Sequence, residues 1–190
     1  MRSGRTGPET PSPFTFGGMA RSSSSASPLG GGVGEREVPR LKADGIVKKL
    51  HGAFCRNVGR EELLQLAAEE IQGAGEPYTS AYMYMLDAGG EMLVLEAFAG
   101  RETDLTHIPV GQGMCGKAVS ERRDVNVPDV NAAPGYLACN LDTKSELVVL
   151  IRRHDEILGE IDIDSDVANG FDAEEEAAVK HVADALAALL

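Results

Sequence analysis

The sequence predicts an α+β domain: a central antiparallel β-sheet, N- and C-terminal helices packed on one face, and a loop and short-helix segment covering the other. Three features carry that expectation. Helical apolar spacing is concentrated at the two ends of the ordered chain. Between them, strand-like runs come in pairs joined by short turns, the mark of meander hairpins. The stretch from 100 to 142 fits neither pattern and would lie across the sheet, leaving a pocket beneath it.

Residues 1–36 are expected to be a disordered tail and 37–190 the folded domain. Nineteen of the first 34 residues are Gly, Ser or Pro. Such a segment buries too little apolar area to offset chain entropy. Met19 offers an alternative start. Leu41, Ile46, Val47, Leu50 and Phe54 then follow helical spacing, and Leu63, Leu64, Leu66, Ala67 and Ile71 repeat it up to the Gly73–Gly75 region.

The period then changes. TSAYMYML (79–86) and EMLVLEAF (91–98) flank DAGG (87–90), a hairpin. Pro109 marks the short extended piece 107–110 as an edge or loop. Residues 113–121 read as a short helix, 124–127 as a short strand and 129–142 as an irregular connection of the kind that carries function. Residues 146–152 and 157–164 form a second hairpin about 154–156. A last helix begins at Asp172, an N-cap with Glu175 at the capping-box position. Its apolar stripe is Val179, Val182, Leu186 and Leu189.

The formal net charge of -12 argues against nucleic-acid and anionic-membrane surfaces. No apolar run approaches the ~18 residues of a membrane span, and three cysteines without paired spacing make no disulfide framework. The expected setting is a reducing cytoplasm, where a thiol works as a thiol.

The reactive groups cluster in 111–146. Cys115 follows Gly111 and Gly113 in the first turn of the short helix, where the positive helix end favours a thiolate. A small buried apolar residue is the equal alternative. Cys139 falls on a loop after Pro134 and Gly135, which favours accessibility; loop packing is the alternative. Cys55 reads as packing on an amphipathic helix. In GEIDIDSD (159–166), Glu160, Asp162, Asp164 and Asp166 alternate with other residues, so on a strand they share a face. The usual reading is a solvated face. The functional one is a site that binds an ammonium group or keeps one carboxyl neutral as a proton donor, with Glu146 joining from the preceding strand. A calcium loop starting at Asp162 fails, with Val167 at the glycine position and Ala173 at the glutamate position. Zinc lacks ligand spacing, and Gly111–Gly113 lacks the third glycine of a dinucleotide fingerprint.

Four stretches, IPVGQGMCGKAV (108–119), NVPDVNAAPGYLACN (126–140), SELVVLI (145–151) and ILGEIDIDS (157–165), resemble the GAF domain family, and within it the free methionine-(R)-sulfoxide reductases. The resemblance covers residues 38–190. It implies a GAF/PAS-like fold with Cys139 as nucleophile toward the sulfoxide sulfur and Cys115 as auxiliary redox thiol. It implies Glu146, Asp162 and Asp164 as groups that bind free methionine sulfoxide, or another small zwitterion, and protonate the departing oxygen. No resident cofactor is implied, only an external thiol reductant such as thioredoxin, and a homodimer through the terminal helices. One departure stands out. The family's usual resolving cysteine would fall in 100–107, where this chain has none and is one residue longer. A non-catalytic ligand-binding or redox-sensing GAF module is the alternative.

Overall fold

The computed structural model describes residues 40–133 and 140–190. The expected tail of residues 1–36 and the predicted nucleophile Cys139 lie outside the described residues.

Helices α1 (Ala43–Cys55) and α2 (Arg60–Gln72) open the fold, followed by the hairpin β1 (Ser80–Leu86) and β2 (Met92–Ala99). Then come β3 (His107–Pro109), α3 (Gly113–Glu121), β4 (Val125–Val127) and a 3-10 turn at Val130–Ala132. The second hairpin, β5 (Ser145–Arg153) and β6 (Glu156–Ser165), leads into α4 (Ala173–Leu189). All six strands form one antiparallel sheet in the order β3-β2-β1-β6-β5-β4. Pro109 does sit on an edge strand, where its missing N–H costs no ladder bond. Among the described residues no helix is long and apolar enough to cross a membrane.

Period-two alternation divides the two faces of this sheet. Ala81, Met83, Met85, Leu147, Val149, Ile151, Ile161 and Ile163 point to the helices and join one core with α1, α2 and α4. Their neighbours in sequence point the other way, into a second layer roofed by α3 and the flanking loops. Two α1 residues depart from expectation: Phe54, counted in the helical apolar spacing, is 48% exposed, and Cys55, read as packing, is exposed. The buried stripe of α1 is Ala43, Ile46, Leu50 and Ala53, and residues 54 and 55 turn off that face.

The α4 cap forms only half of the expected capping box. Asp172 Oδ1 accepts from Glu175 N at 2.8 Å. The Glu175 carboxylate does not return the bond. It accepts from Arg40 N at 2.6 Å, from Leu41 N at 3.4 Å and from the Tyr78 hydroxyl, tying the start of the described chain to the head of α4. Burial, then this bond to Glu175, keeps the Tyr78 hydroxyl firmly protonated.

Candidate active site

The second face of the sheet is acidic and buried. Cross-strand pairing sets Glu146 against Asp164, Val148 against Asp162 and Leu150 against Glu160. On the other side β1 sets Ser80, Tyr82 and Tyr84 against Asp164, Asp162 and Glu160. Glu146 is 2% exposed, Asp164 1%, and Glu160 and Asp162 are fully buried. The solvated-face reading of this strand is therefore wrong, because the residues that cover it come from distant parts of the chain. Asp166 leaves the group. It follows the end of β6 and pairs, half-exposed, with Arg101 at 2.7 and 2.5 Å.

Cys115 comes down onto this face from the first turn of α3. Its Sγ lies 3.8 Å from Glu146 Oε1, and the residue is 3% exposed. The local sequence explains the placement. Gly113 opens the helix with φ +62°, a conformation that only glycine adopts without strain. Gly116 lets the helix approach β3 so closely that a Cβ would stand 2.3 Å from the Pro109 carbonyl oxygen. Cys115 is thus buried, as the packing alternative held, and it also meets an acid, as the functional one required.

The segment 101–106 is pinned to the rim by groups of β1. The Tyr82 hydroxyl donates to Arg101 O at 3.0 Å, and the Tyr84 hydroxyl to Leu105 O at 2.6 Å. Arg101 N donates to Ser80 Oγ at 3.0 Å. This is the segment in which the sequence lacks a cysteine.

Electrostatically the site is strained toward protonation. Burial pushes Glu146 well above the usual carboxylate range, and Asp162, Asp164 and Glu160 push it further, while the Cys115 thiol eases it. Glu160 is raised by burial and then by Asp162. Burial takes Asp164 up to about 6 against the relief given by Thr143 and Arg101. Neither oxygen of Glu160 or Asp164 has a hydrogen-bond partner of good geometry among the described residues. An inward-facing set of this kind stabilises a cation or holds a transferable proton.

The structure therefore brings together four of the five residues expected from sequence: Cys115, Glu146, Asp162 and Asp164. Cys139, the fifth, is among the residues not described. Tyr82, Tyr84, Arg101 and Thr143 were missed. The alternation in TSAYMYML could have shown that both tyrosines share a face. Arg101 and Thr143 left no local signal.

Fold and site together define a GAF domain. The family model for the GAF domain matches residues 59–190, and the chain belongs to that family. Among its relatives are enzymes. A solved type II free methionine-R-sulfoxide reductase from Thermoplasma acidophilum is 40% identical, with a TM-score of 0.65 over 68% of this chain and 91% of that one. The free methionine-R-sulfoxide reductase of Neisseria meningitidis, solved in complex with its substrate, is 25% identical with a TM-score of 0.71, covering 79% of this chain and 89% of that one. The free methionine-R-sulfoxide reductase of Saccharomyces cerevisiae is 44% identical over 94 residues, 48% of this chain and 52% of that protein. The chain spans only 52 to 60% of the length of three curated relatives it matches, the yeast protein among them.

Proposed function

We propose that the domain reduces free methionine-(R)-sulfoxide to methionine at the expense of an external thiol. The observation that carries this is the buried convergence of Glu146, Asp162 and Asp164 with the Cys115 thiol beneath α3. A pocket for an apolar or anionic ligand gains nothing from such a set, whereas an amino acid brings an ammonium group that offsets it. Relatives that carry this activity by name support the same substrate.

In this reading the Cys139 thiolate attacks the sulfoxide sulfur. A neutral carboxyl, with Glu146 the most favoured by its surroundings, protonates the oxygen. The oxygen then passes as hydroxyl from the substrate sulfur to the Cys139 sulfur while the transient S–S bond breaks, so methionine leaves with that electron pair and Cys139 is left as a sulfenic acid. A second thiol condenses with it, releasing water and forming a disulfide, and a dithiol such as thioredoxin supplies two electrons to restore the thiols. Cys115 or the external thiol takes the resolving role, since residues 100–107 contain no cysteine.

That missing cysteine also favours a second reading, a non-catalytic ligand-binding or redox-sensing module. Turnover decides. Purified protein is mixed with free methionine-(R)-sulfoxide and dithiothreitol or a thioredoxin system, and methionine is quantified. Product from the parent and none from Cys139→Ser is expected. No product with any reductant, from folded protein, would leave the binding module standing.

A further inference from the structure

The thiol and two of the carboxylates are spaced like metal ligands. Cys115 Sγ and one oxygen each of Glu146 and Asp162 all lie within 4.8 Å of one another, and all three residues are buried. The Sγ to Glu146 Oε1 distance is 3.8 Å. In a tetrahedral zinc site, bonds of ~2.3 Å to sulfur and ~2.0 Å to oxygen put those two atoms about 3.5 Å apart. The observed pair needs to close by only a few tenths of an ångström. Glu160 supplies a separate sign. It is fully buried, two residues from Asp162 on the same face, and neither of its oxygens has a hydrogen-bond partner of good geometry among the described residues.

We propose that the reduced protein binds one zinc or cadmium ion through Cys115, Glu146 and Asp162, and that the ion occupies the place of the ligand's ammonium group. The thiolate selects these ions over calcium and magnesium, which prefer all-oxygen shells. Binding forms a metal–sulfur bond and releases the thiol proton, together with the proton of any ligating carboxyl that still carries one. No electrons move. The ion is an inhibitor rather than a cofactor, because it fills the acidic site and ties up a thiol. The ion binding stands on its own; the competition rests on the methionine sulfoxide reading.

The test uses the full-length chain with Cys55→Ser and Cys139→Ser, reduced and freed of reductant without air, so that Cys115 is its one thiol. Cadmium is titrated while the thiolate-to-cadmium charge-transfer band is followed in the ultraviolet. The expected result is a band that saturates at one ion per chain, is absent when Cys115→Ala is added, and is not elicited by calcium or magnesium. Asp162→Asn, which keeps the thiol, should weaken the ion's affinity at least about tenfold. It decides the matter if circular dichroism shows that Cys115→Ala has not folded. An unsaturable band, or an affinity indifferent to Asp162→Asn, overturns the site. The same chain cannot turn over, so methionine-(R)-sulfoxide can be added as a stable competitor. A higher apparent Kd for cadmium is expected, and an unchanged one removes the overlap with the ammonium position. A parent protein without turnover would sink the reductase reading, while the cadmium band would still report on the ion.

Discussion

Asp164 holds its proton more tightly in the folded protein than in the unfolded chain. Its pKa rises from 3.8 to about 6, chiefly through burial. The stability this contributes is fully present below pH 3.8, fades as pH rises and is lost above about 6. At pH 8 the buried charge works against the fold. Asp164→Asn is therefore expected to raise stability at pH 8 by about 2 kcal/mol, with the gap to the parent closing as pH falls through 6. Urea melts across that range check this, and the same variant should bind the amino-acid ligand more weakly. Glu175 is the opposite kind of buried acid, with two backbone N–H groups and the Tyr78 hydroxyl donating to it. Glu175→Ala leaves them unpartnered and should cost about 3 kcal/mol, with Glu175→Gln losing less. Ligand affinity of the folded variant should not change, because Glu175 lies in the helix-side layer. Sequence alternation was enough to put Glu160, Asp162 and Asp164 on one face. It was silent on their burial, which is decided by residues as distant in sequence as Tyr82 and Tyr84 of β1.

Among the elements, α3 is the part on which the site depends. It is short, and its position is set by close backbone contact with β3 together with the packing of Met114, Ala118 and Val119. Gly116→Ala would drive a methyl group into the Pro109 carbonyl oxygen and the Gly111 backbone nitrogen, 2.3 and 2.9 Å from the new carbon. The helix must lift, at a cost of about 2 kcal/mol. The expected readout is faster labelling of Cys115 by a thiol-reactive disulfide, measured in a Cys55→Ser, Cys139→Ser background; unchanged labelling would mean that the approach is slack. Most elements were legible beforehand because apolar period and turn residues agree along the hairpins and terminal helices. The tethers of the 101–106 segment were not, since hydroxyl-to-carbonyl bonds from Tyr82 and Tyr84 leave no periodic trace.

The described domain is a sheet between two unlike layers, apolar and helical on one side, and on the other a layer that carries the buried acids beneath α3. Its centre is the β1–β6 pairing, which joins the hairpin from the first half of the domain to that from the second. The general architecture followed from the order of the elements. Which strands would meet in the middle did not, because a meander pattern specifies neighbours within a hairpin and not between hairpins.

The strict alternation of β6 also bears on how the chain finds this arrangement. If β6 slid by one residue against β1 and β5, Ile161 and Ile163 would enter the acidic layer, and Glu160, Asp162 and Asp164 would be pressed into the helix-side core. Three carboxylates pressed among the apolar side chains of the helix-side core would carry a large desolvation cost, which disfavours the slipped register. Replacing all three with leucine would remove the proposed ligand site and also leave β6 with two apolar faces and no polar alternation to set its register.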